Sequence, residues 1–465
     1  MKQGKPVMTT YRPKRIESLP GLTWVSNWGN YPKIPARVYT FAEVEEARTL
    51  LSQVNQAIPR GNGRCYGDSA LAENIISTLH YNKFLAFDPK NGLLSCQAGV
   101  TLAEILDVIV PRGWFLPVTP GTKFITVGGA IASDVHGKNQ HKEGTFCEHV
   151  VQLELMLANG ELVSCSSHEN AELFWSACGG MGLSGLILNV MIRLRPIETA
   201  YIRQETIRAR NLDHLMDLFE ASTEWTHSMA WIDCLARGAA LGRGILMRGE
   251  HALVDELATE AQRRQPLVIK PKRKIDVPFN LPDFVLNPFT VRAFNFLFYH
   301  RHPAQPVKRV VDYDTFFYPL DAIINWNRIY GKRGFTQYQF ILPRTAGRAG
   351  LASLLQAIAA SGAGSFLAVL KLYGPQRGYL PFAMEGYSLA LDFPITAGLF
   401  DLLSELDKMV LVYGGRLYLT KDVRMSRETF LAGYPQAEAF IRAVRQLNPE
   451  ARLRSRQSDR LGITP

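Results

Sequence analysis

Long hydrophobic runs are missing from this chain of 465 residues: no stretch approaches the roughly 20 apolar residues that a membrane-crossing helix needs. The first twenty residues, MKQGKPVMTTYRPKRIESLP, are basic and hold no signal-peptide core, so the expectation is a protein made and kept in the cytoplasm. Cysteine is sparse and scattered. The six, at 65, 96, 147, 165, 178 and 234, include no C-x-x-C pair, which excludes the spacing of a zinc site or a disulfide framework and leaves mostly buried thiols. No internal repeat or low-complexity tract is present, and no nucleic-acid-binding motif accompanies the basic charge. What remains, 47% hydrophobic and 20% charged, is the composition of a globular protein long enough for two or three packed lobes.

The net charge of +10 is unevenly placed. Between Arg263 and Arg309 lie ten basic residues against Asp276 and Asp283, a local excess of eight. The same window carries Phe279, Phe284, Phe289, Phe294, Phe296, Phe298 and Tyr299, with prolines at 266, 271, 278, 282, 288, 303 and 306. Basic groups beside exposed aromatics suit an anionic bilayer surface. The competing reading is a proline-punctuated insertion whose aromatics pack on the body while its charges are solvated.

Two glycine-rich segments suggest a phosphate-bearing cofactor. Thr126-Val-Gly-Gly-Ala-Ile-Ala-Ser-Asp-Val-His-Gly-Lys138 joins a glycine pair to Asp134, His136 and Lys138, charge placed where backbone can approach a ligand closely. Pro59-Arg-Gly-Asn-Gly-Arg-Cys-Tyr-Gly-Asp68 offers Gly61, Gly63 and Gly67 for positive φ, turning N–H groups toward an anion. Gly180-Met-Gly-Leu-Ser-Gly185 formally matches G-x-G-x-x-G, but a helix-like segment precedes it and a strand-like one follows, the reverse of a Rossmann fingerprint. It reads instead as a helix-to-strand turn that brings backbone near a ligand.

Residues 35 to 195 read as α+β with short strands. Leu102 to Val110 and Ala171 to Ala177 have helical spacing, and Val150 to Ala158, Asn159-Gly160 and Glu161 to Ser164 make a hairpin with type I′ turn residues. After Arg195-Pro196 come alternating strands, Phe335 to Pro343 and Phe366 to Tyr373, with helices near 346–361 and 397–412. A mixed sheet covered by helices fits.

At this point the chain resembles the flavin-dependent oxidases of the vanillyl-alcohol-oxidase type, and within them the lipid-linked ribose oxidases that begin epimerisation to the lipid-linked D-arabinofuranose donor. Gly63-Arg-Cys-Tyr-Gly-Asp68, Pro120-Gly-Thr, Thr126 to Ile131, His136-Gly-Lys-Asn139, Glu172-Leu-Phe-Trp175, Gly182-Leu-Ser-Gly185, Ile324 to Gly331, Gln337 to Phe340, Lys371 to Gly374, Asp392 to Ile395, Gly414 to Tyr418 and Lys421-Asp422 carry the likeness, in order, over most of the chain. It implies an α+β, two-lobed FAD-binding fold: 1–196 as FAD-binding domain, 197–410 as substrate domain with the basic aromatic insertion at 263–310, and 411–465 returning to the FAD domain. No histidine stands at Arg64-Cys65-Tyr66, so the flavin is expected to be non-covalent, although Cys65 leaves a thioether conceivable.

The resemblance assigns FAD contacts to Arg60, Gly61, Asn62, Gly63, Arg64, Cys65, Tyr66, Gly121, Thr122, Thr126, Gly128, Gly129, Ala130, Ser133, His136, Gly137, Asn139, Gly182, Gly185, Leu186, Ile187 and Tyr418. Lys421 and His136 are the candidate catalytic residues. Lys421 acts either as a base, if burial lowers its pKa, or as a charged stabiliser of reduced flavin; the bland alternative is a surface lysine paired with Asp422. Tyr66, Lys138, Trp231, Phe317, Gln337, Gln339, Lys371, Ser388 and Lys421 are expected to shape the substrate site. Alternation puts Gln337 and Gln339 on one strand face, which is either the site or solvent.

The best-known relatives carry cysteine at the position of Ala390, asparagine at that of Ser388 and tyrosine at that of Phe317. That cysteine is what nitroaromatic covalent inhibitors trap, so such trapping is not expected here. The expected function is FAD-dependent oxidation of the 2-hydroxyl of a polyprenylphosphoryl-ribose, followed by a separate NAD(P)H-dependent keto-reductase. The protein would sit on the cytoplasmic membrane face, with quinone or oxygen as acceptor. Two other readings stand beside it: a soluble alditol or sugar-lactone oxidase, and a silent flavoprotein scaffold.

Overall fold

The computed structural model describes residues 20–270 and 272–465. The basic N-terminal stretch up to residue 19 and Pro271, both part of the sequence reading, lie outside the described residues.

Among the described residues, three large sheets and two two-stranded ones organise the chain. A four-stranded sheet is ordered Leu22–Val25, Ile34–Thr40, Asn74–Ser77, Ala57–Arg60. A five-stranded sheet follows, ordered Phe84–Asp88, Leu93–Gln97, Leu186–Arg193, Val150–Met156, Leu162–Cys165. Pairing then switches. After the short bridge from Arg195–Pro196 to Trp114–Phe115, the strand Tyr201–Ala209 enters an eight-stranded sheet. Its order is Val307–Asp312, Tyr201–Ala209, Gly244–His251, His227–Ile232, Ala368–Tyr373, Gly386–Pro394, Phe335–Pro343, Arg416–Leu417.

Alternation gives this large sheet two different faces. Ile207, Leu246, Ala230, Ile232, Leu370, Leu389 and Phe340 point into an apolar core shared with Leu351, Leu354, Leu355 and Ile358. Those four recur at helical spacing along Arg344–Ser361, which Gly362 ends at φ +73°. The helices Leu212–Glu220 and Leu399–Val412 cover the same side. The opposite face is left for a ligand.

The segment 411–465 touches both halves. Its strand Arg416–Leu417 pairs with Phe340 and Ile341 at the edge of the large sheet, whereas Leu453 bridges Ala57 and the Arg456 N–H donates to the Leu71 carbonyl. The hairpin at Asn159-Gly160 forms with a different turn from the expected one. Only Gly160 has positive φ, its N–H donates to Leu157 and the Leu157 N–H donates to Glu161: a three-residue loop with a G1 glycine, not a two-residue I′ turn. Among the described residues, no helix is long and apolar enough to cross a membrane.

Candidate active site

The open face of the large sheet, the first glycine loop and the C-terminal Tyr418 to Lys421 enclose a single cleft of about 1130 Å³. Arg60 through Tyr66, Gly121, Thr122, Thr126, Gly128, Gly129, Ser133, His136, Gly137, Gly182, Gly185, Leu186, Ile187 and Tyr418 line it. So do Lys138, Trp231, Phe317, Gln337, Gln339, Lys371, Ser388 and Lys421. Two expected contacts are misplaced. Ala130 is wholly buried in the core, and Asn139 points inward to donate to the Pro117 carbonyl at 2.7 Å. Asp134 also turns away: it accepts from Thr145 Oγ1, the Cys147 N–H and Gln376 Nε2, pinning the loop instead of presenting charge.

The first glycine loop is the better anion cradle. Among the described residues, none of the backbone N–H groups from Gly61 to Cys65 has an acceptor, and Gly63 takes φ +59°. Consecutive unpaired donors of this kind form an anion-binding concavity. Gly67 serves closure instead, because a Cβ there would land on the Asp422 carbonyl. In the second segment Thr126 caps a short helix, Val127–Ala132, and the Val127, Gly128 and Gly129 N–H groups are already paired. Its glycines permit packing. A Cβ on Gly128 would press on Ala98 at 2.9 Å.

At the inner end, the alternation of Phe335–Pro343 aims Gln337 and Gln339 into the cleft, not at solvent. Gln339 Nε2 donates to His136 Nε2 at 3.1 Å and to Ser388 Oγ at 3.2 Å. With that bond the imidazole proton sits on Nδ1, a buried atom without a partner. Tyr373, Phe382 and Tyr418 surround the ring at 4.9, 5.5 and 4.9 Å between centroids. Burial, with Lys371 and Lys421 nearby, holds His136 well below its ordinary pKa, so it is a neutral ring at pH 7.

Three lysines converge here. Burial lowers Lys421 to about 7, Asp392 opposing and Lys371 adding to the fall. Burial likewise lowers Lys371 to about 8, and burial plus Lys371 brings Lys138 to about 7. Lys421 is not paired with Asp422, whose carboxylate takes Arg460 at 2.9 Å. Its ammonium instead lies 3.9 Å from the Tyr66 ring centroid. Lys138 donates to the Phe316 carbonyl.

Asp392 opens one of the motifs that carry the likeness but was given no role in the site. It is fully buried, accepts from Gln337 Nε2 at 2.6 Å and from the Tyr330 hydroxyl at 3.3 Å, and burial raises its carboxyl to about 7. The signal that locates it is register: Gln337 pairs with Asp392, which puts the carboxylate on the cleft face of its strand. Also missed was the helix Pro288–His300, announced by Asn287-Pro288: the Asn287 side chain accepts from the Phe289 and Thr290 N–H groups. Its buried Asn295 donates to Asp233 at 2.9 Å, and Phe294 and Phe298 roof the cleft. Trp231 forms the floor below, its indole N–H satisfied by the Phe366 carbonyl at 2.9 Å and its ring 4.7 Å from Phe298.

The donor set suits a dinucleotide flavin: a run of free N–H groups for pyrophosphate, an orphaned His136 Nδ1, and apolar walls beside titratable groups. Comparison with known proteins agrees. Residues 35–166 match the FAD binding domain family. The chain is 37% identical over 438 residues to decaprenylphosphoryl-beta-D-ribose oxidase of Mycolicibacterium smegmatis, covering 93% of each chain. It is 32% identical to an uncharacterized protein of Streptomyces coelicolor, over 78% of this chain and 100% of that one. L-gulonolactone oxidase of Bos taurus is 28% identical over 42% of this chain and 44% of its own. The fold, the cleft and this full-length likeness agree: the chain is an FAD-dependent oxidoreductase and belongs to the decaprenylphosphoryl-beta-D-ribose oxidase family.

Proposed function

We propose that this protein oxidises the 2-hydroxyl of a polyprenylphosphoryl-β-D-ribose to the 2-keto sugar, the first half of an epimerisation that a separate NAD(P)H-dependent keto-reductase completes. The observation that carries this reading is a polar pole of Gln337, Gln339, Ser388, Lys371 and Lys421 in the same cleft as an apolar stretch floored by Trp231. A free polyol has no use for the second part.

FAD, when bound, supplies the acceptor for the hydride of the carbinol carbon. Residues 61–65 would hold its pyrophosphate, and Gly182, Gly185, Leu186 and Ile187 would lie against it, with no covalent bond. Gln337 and Gln339 orient the sugar, Lys371 and Lys138 face its phosphate, and Lys421 Nζ takes the proton of the reacting hydroxyl. His136, neutral, fixes Gln339 and offers Nδ1–H. Of the described residues, those up to 196 and the end of 411–465 form the FAD-holding part, and 197–410 the substrate part.

Anaerobic flavin absorbance tests the reading. Bleaching by polyprenylphosphoryl-ribose, with none by ribose or an alditol, is the expected result. Bleaching by a free polyol moves the chain to the soluble oxidases, and none by any of these compounds leaves the scaffold.

The insertion supports peripheral docking at the inner membrane face, where quinone or oxygen takes the electrons. Phe284 and Phe289 are 76% and 78% exposed, and Phe279, Phe296 and Leu297 are also exposed, as are Arg292, Lys270 and Arg273 of the same insertion. Tyr299 departs from the expected pattern: it is buried and donates to the Ala209 carbonyl. Sedimentation with vesicles should show binding to anionic but not zwitterionic lipid, weakened by salt. Phe289→Ser with Leu297→Ser should reduce it at least about tenfold, since each replaces an exposed apolar side chain.

A further inference from the structure

Register orders the floor of the cleft. Gln339 faces Ala390, Ala390 faces Val369, Val369 faces Trp231, Trp231 faces Ile245, and Ile245 faces Arg208. In the adjoining row Ser388 faces Lys371, Met229 faces Met247, and Met247 faces Thr206. The polar pole therefore gives way to Val369, Trp231, Met229 and Met247, roofed by Phe294 and Phe298.

Beyond them the surface turns basic again. Arg208, Arg301 and Arg309 all line the cleft, and Arg208 donates to the His302 carbonyl at 3.1 Å. Among the described residues none of the three has a carboxylate partner. All three lie close enough to His302 to add to the fall that burial imposes on its imidazole.

We infer that the apolar corridor between Lys371 and Arg208 binds the first isoprene units of the lipid-linked sugar, with the arginine cluster marking where the chain leaves for the headgroup layer. This rests on the sugar site proposed above. The phosphate is attached next to the reacting carbon, so it stays with Lys371 and Lys138 and cannot span the corridor to the arginines. Three strand-to-strand steps separate the Lys371 strand from the Arg208 strand, roughly 14 Å, a length that accommodates about three isoprene units. Trp231 fits the task because its N–H is already bonded to protein, leaving an apolar surface toward the chain.

Ribosyl phosphates carrying one to five isoprene units, used singly in anaerobic stopped-flow reduction of the holoenzyme, provide the test. The apparent Kd for flavin reduction should fall at least about fourfold per unit through the third, the worth of one well-buried methylene, and then level off. Met247→Trp, which narrows the corridor without touching the sugar pole, should raise the apparent Kd of the three-unit substrate at least about tenfold and leave the one-unit substrate unchanged. The unchanged one-unit reaction and retained flavin spectrum show that the variant is folded. Reduction that is independent of chain length, or a Met247→Trp penalty equal for all lengths, overturns the corridor while sparing the proposed reaction. Failure of every length to reduce the flavin overturns the reaction and the corridor together.

Discussion

Lys421→Met should lower the rate of flavin reduction by lipid-linked ribose by about 10² to 10⁴-fold, the range of a lost general base, while leaving FAD bound. The pyrophosphate cradle at 61–65 does not involve the lysine side chain, so affinity for the cofactor survives. What disappears is the proton acceptor at the reacting hydroxyl. An ordinary lysine, near 10.4, is almost wholly charged at pH 7 and cannot accept a proton. Burial in the cleft brings Lys421 to about 7, where half of it is neutral.

The sign of the pH dependence follows. Wild-type reduction should rise with pH, about tenfold per unit below 7, and level off above it; the methionine variant should lose that inflection. A wild-type rate that falls through 7 would identify the charged ammonium as the working form, stabilising reduced flavin. Stability moves in a related sense. Because the folded chain holds this amine less protonated than the unfolded chain between about pH 7 and its ordinary value, the group's contribution becomes more favourable as pH rises across that interval. The same holds for Lys371 and Lys138, so a melting temperature followed from pH 7 to 9 should lose part of its rise in the variant.

Why Lys421 was legible and Asp392 was not comes down to the range of the interaction. Both residues open short motifs, but Lys421 takes its role from the resemblance that its motif carries, and the glycine loops carry local chemistry in their own residues. Asp392 acquires its role only when Gln337, fifty-five positions earlier, is brought opposite it by a register that no local pattern specifies. Alternation in Phe335 to Pro343 defined a face for Gln337 and Gln339, but only the packing of helices on the other side decides that this face is the cleft. The large sheet was visible as separate strands; its order, with Tyr201–Ala209 and Arg416–Leu417 far apart in sequence and near opposite edges, was not.

Asp134 failed for a different reason. A charged residue in a glycine-rich loop reads as a ligand contact, yet three hydrogen bonds to Thr145, Cys147 and Gln376 satisfy its carboxylate inside the protein. The insertion was read as one unit and is three. Asn295, Val291 and Tyr299 anchor its helix, Phe294 and Phe298 face the cleft, and Phe289, Phe296 and Leu297 face outward. Helical periodicity over Pro288–His300, once the Asn287 cap is noticed, separates these roles.

Arg460→Met should cost about 3–5 kcal/mol of stability and release FAD. Arg460 holds Asp68 at 2.8 Å and Asp422 at 2.9 Å, with both carboxylates buried. Burial disfavours the guanidinium's charge, but Asp422 and Asp68 outweigh it and keep the group above its ordinary pKa, while burial raises the Asp68 carboxyl to about 6 against the pull of Arg460. Removing the cation leaves two buried carboxyl groups without the partner they share. Those groups sit at the ends of the functional loops: Asp68 closes the glycine loop that holds the free N–H groups, and Asp422 directly follows Lys421. Gly67, packed on the Asp422 carbonyl, joins the two loops through the backbone. Arg460→Lys keeps the charge but not the fork that serves both carboxylates, and should recover only part of the loss. Asp68→Asn and Asp422→Asn added to Arg460→Met remove the unpaired charges and should restore thermal stability toward wild type. Failure of that triple variant to recover would mean that the guanidinium's bond to the Met425 carbonyl, rather than charge balance, closes the C-terminal segment over the cofactor loop.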